Sequence, residues 1–198
     1  MNSPFWALIV RATGFLSIIP ADLRYFHTHF CGTPLASEWT GPPSYTIFGK
    51  SKPANDFVSW ATPVPIVSER AGALFRSVAS SDVELLSFGL IKKRMYFALN
   101  VLSIRDYVDY EASQITWLPN VDEGTPRCIA LRPNIPNIPS VFKLERIPSQ
   151  IYISENMASL LVDADLTGFS LALPTTDITK HLIMHGEVPD EYGATFKK

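Results

Sequence analysis

The histidines are the first residues to weigh for chemistry. His27 and His29 stand two apart, and His181 and His185 stand four apart. On a strand the first pair shares a face, with Cys31 continuing the row; on a helix the second pair shares a face. Both spacings suit imidazole ligands, and together the pairs would close a tetrahedral metal site, the basis of a metal-dependent hydrolase. No carboxylate accompanies the first pair, and nothing in the sequence brings the two pairs together. The expectation is therefore no metal and no cofactor. No glycine-rich phosphate loop, G-x-S-x-G elbow, H-E-x-x-H or C-x-x-C is present. Ser68 and Ser154 read as helix caps, not nucleophiles. The chain reads as a protein without catalytic residues.

An acidic stretch offers binding chemistry instead. Asp106, Asp109, Glu111, Asp122 and Glu123 fall between positions 106 and 126 without a Lys or Arg, and Tyr107, Tyr110 and Trp117 interleave them. Aromatics of this size anchor protein interfaces, and acids steer a basic partner toward them. These eight residues are the candidate binding surface. The plainer alternative is a solvated loop whose aromatics pack inward. Pro126, Pro133, Pro136 and Pro139 continue the stretch, which reads as a long ordered connection.

The surrounding elements must hold that surface. Phe5 to Val10 reads as a buried strand, Leu23 to Phe30 as another by alternation, and Tyr45 to Phe48 as a short one. Ser68 is a good N-cap, Glu69 follows at the first helical position, and Ala71, Leu74, Phe75 and Val78 make one apolar helical face. Val83 to Phe88 and Met95 to Leu102 read as strands, the latter central, with a solvated turn at Lys92, Lys93 and Arg94. The same grammar returns at an offset of 86: Ser154 and Glu155 repeat Ser68 and Glu69, and Met157, Leu160, Leu161 and Ala164 make the second face. Val141 to Glu145 and Phe169 to Leu173 read as strands, and Asp177 to His185 as a last short helix.

The fold class expected is α+β: a single domain with a mixed β-sheet, helices largely on one side, two strand–helix–strand units and a short C-terminal helix. Residues 1–62 read as a divergent strand-rich part, 63–174 as the core and 175–198 as helix and tail. Composition agrees with one globular unit. The chain has 198 residues, 46% hydrophobic and 18% charged, with 16 prolines. That apolar content fills a core, and the prolines exclude a plain helical bundle. A formal net charge of −2 argues against a general nucleic-acid binder. No run of about 20 apolar residues is present to span a membrane, and no basic residue precedes the apolar N-terminal run as in a signal peptide. Two isolated cysteines, Cys31 and Cys128, fit a reducing cytoplasm.

Three stretches together resemble a known family. They are Pro65-Ile-Val-Ser-Glu-Arg70; Tyr96-Phe-Ala-Leu-Asn-Val-Leu102 with Asp106 and residues 109–113; and Val141-Phe-Lys-Leu144 with Ile151-Tyr-Ile-Ser-Glu155 and Leu166-Thr-Gly168-Phe169. Their order and spacing over residues 63 to 174 resemble a family of bacterial immunity proteins from polymorphic toxin systems. The resemblance implies a cytoplasmic protein that binds and neutralises one cognate toxin, in some systems a nuclease, by blocking its active site or substrate surface. It implies a heterodimer or higher complex with that toxin, with no nucleic acid or membrane partner and no catalytic residues. A protein-binding module unrelated to toxins is the remaining alternative.

Overall fold

The computed structural model describes residues 5–11, 16–22, 24–61, 64–119 and 122–174. In chain order the elements are β1 (Phe5–Val10), β2 (Ser17–Pro20), α1 (Arg24–His29), β3 (Tyr45–Phe48), β4 (Phe57–Ala61), β5 (Val64–Ser68), α2 (Glu69–Val78), β6 (Val83–Ile91) and β7 (Arg94–Val101). After them come β8 (Ile104–Arg105), β9 (Gln114–Trp117), β10 (Gly124–Cys128), β11 (Val141–Leu144), β12 (Ile147–Ser154), α3 (Glu155–Asp163) and β13 (Phe169–Ala172). The chain is α+β. Its strands divide between a six-stranded sheet, order β3-β2-β4-β5-β7-β6, and a five-stranded sheet, order β13-β1-β12-β11-β8, with β9 and β10 forming a separate ribbon. Both sheets are mixed, each with one parallel contact, β2 with β4 and β8 with β11. Among the described residues no helix is long and apolar enough to cross a membrane.

The two sheets are built alike, strand for strand. In the first, β5 and β6 are both antiparallel to β7, which lies between them, and α2 makes the connection. In the second, β12 and β13 are both antiparallel to β1 between them, and α3 makes the connection. The registers coincide. Ile66 lies opposite Ala98 as Tyr152 lies opposite Ala7, and Leu85 lies opposite Leu99 as Leu171 lies opposite Leu8. One strand further out, Phe57 faces Val67 as Val141 faces Ile153. The parallel contacts match too, Ser17 with Ser59 and Ile104 with Lys143. Read along the chain, β1, β2, β4, β5, α2 and β6 correspond to β7, β8, β11, β12, α3 and β13. Each half gives its first strand to the other half's sheet, where it lies between that half's last two strands.

Alternation along the strands sends side chains to two layers. Trp6 and Leu8 of β1, Val67, Leu99, Val101, Ile151 and Ile153 point inward to one core shared with Ala71 and Phe75 of α2, its C-cap Ala79, and Met157, Ala158 and Leu161 of α3. The outer face of the first sheet (Ile18, Val58, Ile66, Leu86, Phe88, Tyr96) is covered by Phe30 and Leu35, with Tyr25 and Trp39 beside them. The outer face of the second (Phe5, Ala7, Ile9, Phe142, Leu144, Tyr152) is covered by Val108 and Ile129, with Tyr107, Tyr110, Ile115 and Leu131. The described residues of 24–39 and 106–131 thus occupy the same place in the two halves, between the second and third matched strands, and each set roofs its own sheet.

Asp56 ties the halves together. It is 3% exposed. Oδ1 accepts from Ser68 Oγ at 2.7 Å, and Oδ2 accepts from Arg70 at 2.8 Å and from the Thr167 amide and hydroxyl, each at 3.1 Å. Ser68 Oγ in turn accepts from the Ala71 amide at 3.3 Å, the N-cap bond of α2, as Ser154 does for Met157 in α3 at 3.2 Å. Burial pushes the Asp56 carboxyl up, but the bonds from Ser68, Arg70 and Thr167 outweigh it and hold it below the usual aspartate range. Gly168, next in the chain, sits at φ +93°, and a Cβ there would come within 2.3 Å of the Phe57 carbonyl oxygen. Only glycine fits.

Two expectations need correction, and a third is untested. Residues 24–29 form a helix, not part of a strand: Tyr25 and His29, one turn apart, stack at 4.2 Å, and Thr28 Oγ1 donates to the Tyr25 carbonyl. A run this short does not distinguish the two periods. Leu74 and Leu160 are half-buried and Val78 and Ala164 are exposed, while Ala71, Phe75, Met157, Ala158 and Leu161 are buried. The buried faces are therefore rotated toward the smaller residues, because each helix packs on a sheet and against the other helix. The expected helix at Asp177 to His185 lies outside the described residues.

The β6–β7 turn is unusual. Its two central residues, Lys92 and Lys93, have φ of +48° and +67°. A two-residue hairpin with both φ positive normally carries Asn-Gly or a similar pair. A side chain in that region costs about 1–2 kcal/mol per residue.

Candidate functional site

The candidate surface is the roof over the five-stranded sheet. From β8 the chain turns outward, bridges Val108 to Leu131, and folds β9 back on β10. Gly124 permits this closure, since a Cβ there would meet Ile115 at 2.3 Å. Its amide donates to the Arg146 carbonyl at 2.8 Å, joining the ribbon to the turn between β11 and β12.

Most of the acids are engaged within the roof. Asp106 pairs with Arg132 at 2.5 Å. Asp109 Oδ1 accepts from the amides of Glu111 and Ala112 at 3.2 and 3.1 Å, an Asx turn that shapes the loop. Asp122 pairs with Arg146. Glu111 and Glu123 carry no ion pair among the described residues, Glu111 being exposed and Glu123 half-buried. The sequence showed five acids and no local base; the fold brings Arg132 and Arg146 to them from beyond the stretch.

The aromatics divide. Tyr107 packs inward, its ring 5.8 Å from Phe142. Tyr110 lies at the boundary, where burial and the Asp106 charge raise its hydroxyl pKa. Trp117 is 42% and Leu118 45% exposed. The Tyr110 and Trp117 rings are 6.0 Å apart, and the Arg146 guanidinium sits 5.1 Å from the first and 4.3 Å from the second. Arg146 was not among the expected residues. It lies 29 positions beyond Trp117, and only the β11–β12 turn places it there.

The first histidine pair falls on a helix. His27 and His29 lie on α1, where a spacing of two puts residues on different faces. His29 Nδ1 is 2.8 Å from the Tyr25 carbonyl and from Thr28 Oγ1. His181 and His185 lie outside the described residues. Among the described residues no group of three or more His, Cys, Asp or Glu is placed to hold a metal ion. Cys31 and Cys128 are not joined in a disulfide.

What the site offers is therefore a surface: an exposed tryptophan braced by an arginine and a tyrosine on a ribbon locked to the sheet below. A comparison with curated proteins found no match. A comparison with protein families matches the Immunity protein family (Imm11) over residues 18–173. The match takes in both halves of the fold, including most of the stretch before residue 63 that the sequence reading set apart. It also contains Asp56, Ser68, Arg70, Thr167 and Gly168, the residues that lock the halves together. With the match running from β2 to the end of β13, the chain belongs to the Imm11 immunity protein family.

Proposed function

We propose that this chain neutralises a single cognate toxin in the cytoplasm of the cell that makes both, as a non-catalytic inhibitor that covers the toxin's active site or substrate surface. Family membership supports toxin immunity in general. The observation that favours the roof as the contact is the Tyr110–Arg146–Trp117 cluster. Trp, Tyr and Arg are the residue types that dominate binding energy in protein interfaces. Here they are already assembled and partly exposed, so little ordering cost remains to be met on binding. Neutralisation demands tight binding: nanomolar affinity is about −12 kcal/mol, commonly over ~1,600 Å² of total buried surface. Trp117 and Leu118 would form the centre of such a patch. Asp106, Tyr107, Asp109, Asp122 and Glu123 would shape and rim it, with Tyr107 acting from beneath.

If the toxin is a nuclease, its surface is basic where it grips phosphates. Glu111 and Glu123 are then the acids free to meet it, since the others already hold Arg132, Arg146 or the Asx turn. The test uses the toxin encoded beside this gene. Co-expression with the wild-type chain should protect cells. Trp117→Ala should weaken the purified complex at least tenfold without changing the melting temperature by more than a few degrees. Full affinity in that variant would place the contact elsewhere on the molecule.

A further inference from the structure

The net charge of −2 conceals a segregated distribution. At the end of the six-stranded sheet, the tip of the β6–β7 hairpin gathers cations. Arg94 donates to the Ala54 carbonyl at 3.2 Å, Lys92 Nζ donates to the Lys52 carbonyl, and Arg70 and Arg94 both lean on Asp56. Asp56 is buried beneath them, so one carboxylate serves two guanidiniums. Lys93 has no ion-pair partner among the described residues. Among the described residues Asp56 is the one acid paired with Arg70 and Arg94, and no acid is paired with Lys52, Lys92 or Lys93. Leu90 and Met95, directly opposite each other across the hairpin, are 67% and 36% exposed. Leu90 is thus the most exposed large hydrophobic side chain among the described residues.

We infer that this hairpin tip is a second contact on the toxin, a basic finger that engages an acidic surface around a shallow apolar depression. The inference rests on the toxin-binding reading above and adds a site and its chemistry to it. Three independent features point the same way. Two lysines occupy backbone positions where Asn-Gly would be less strained; Lys92 is tied to the Lys52 carbonyl, and for Lys93 the fold offers no ion-pair partner among the described residues. Two aliphatic side chains are left in water beside them. The cations carry charge that the fold does not neutralise. A protein partner fits better than a lipid surface or nucleic acid. Two apolar side chains bury too little to hold a membrane, and a chain of net negative charge is repelled as a whole by either polyanion. The finger is also separate from the roof. β7 runs eight residues from Arg94 to Val101, roughly 26 Å, before the chain reaches β8 and the roof.

The test is association kinetics with the toxin encoded beside this gene, at low and high salt. The double variant Lys92→Asn, Lys93→Gly installs the favoured turn and removes two charges. It should melt higher than the parent yet associate about tenfold more slowly at low salt, with the gap closing at high salt. Leu90→Ser should raise the dissociation rate about tenfold with little change in association. A double variant that melts higher and binds with unchanged rates overturns the finger while leaving toxin binding intact. So does binding of the parent to phosphatidylglycerol vesicles or duplex DNA that the double variant loses while its toxin kinetics stay the same. A parent protein that does not bind the toxin at all overturns the toxin reading and the finger with it.

Discussion

Arg70 and Thr167, one from each matched half of the chain, donate to the same carboxylate oxygen of Asp56. Neither residue touches the candidate roof, yet both lie in the stretches that carry the family resemblance. The motif is explained by the junction it builds: a capping serine, an arginine and the threonine–glycine turn converge on one buried acid.

Removing that acid should be costly. Asp56→Ala leaves the donors of Ser68 and Thr167 unmet at a buried seam, and we expect a loss of about 3–5 kcal/mol in chemical denaturation. The pH dependence has a definite sign. The folded carboxyl titrates below its ordinary value of 3.8, so its contribution is fully present above about pH 4 and fades as pH falls through the folded value. The stability gap between the parent and Asp56→Asn should therefore narrow only in acid below about pH 4. A gap that narrows between pH 5 and 7 would mean that another group controls the seam.

The core prediction separates neighbouring leucines. Leu161 is fully buried in the shared core, while Leu160 is half-buried. Leu161→Ala should cost about 2–5 kcal/mol and Leu160→Ala distinctly less. Equal losses would show that the two positions are packed alike.

The helices were legible because cap, first-turn acid and 3.6-residue period agree at Glu69–Val78 and again at Glu155–Asp163. The repeat was legible as an offset, but not what it builds. Nothing local says that Phe5–Val10 pairs between Ile147–Ser154 and Phe169–Ala172, because that choice is made by packing of residues about 150 positions apart. The roof was half legible for the same reason. Its acids and aromatics are adjacent in sequence, whereas the arginines that neutralise and brace them arrive through a sheet. Residues 24–29 were misread because six residues carry too little periodicity to separate helix from strand.

The strand exchange predicts behaviour on cutting the chain. Separation between Lys92 and Lys93 leaves β1 in one fragment and β7 in the other, each of them paired on both sides by strands of the opposite half. Alone, either fragment would lack the strand that joins its edge strand, β6 or β13, to the rest of its sheet, and its inner face would be exposed. Fragments 1–92 and 93–198 expressed together should co-purify as one folded species, and each expressed alone should be unfolded or aggregated. A cooperative melt from either fragment by itself would show that the exchanged strands are not what holds the halves.

Lys143 supplies the last prediction. It lies on β11 with its side chain fully buried, and Nζ donates to the Phe30 carbonyl at 2.9 Å, fastening the chain after α1 to the five-stranded sheet. Burial pushes its pKa down to about 8, against a weak opposing influence from Cys31. Below pH 8 the ammonium is charged in both folded and unfolded chains, and the cost of burying it is paid in full. Between about pH 8 and 10.5 the folded protein has shed the proton and the unfolded chain still holds it, so stability should rise with pH in that window, by up to about 3 kcal/mol. Lys143→Met keeps the aliphatic stem and removes the charge. It should be more stable than the parent by about 1–2 kcal/mol at pH 7, less than the full burial cost because the Phe30 carbonyl loses its donor. Denaturation from pH 7 to 10 on both proteins is the measurement. The parent should draw level with the variant as pH rises and pass it near the top of that window, where its neutral amine still donates to the Phe30 carbonyl. Parallel curves would show that the buried charge is balanced by a partner other than the Phe30 carbonyl.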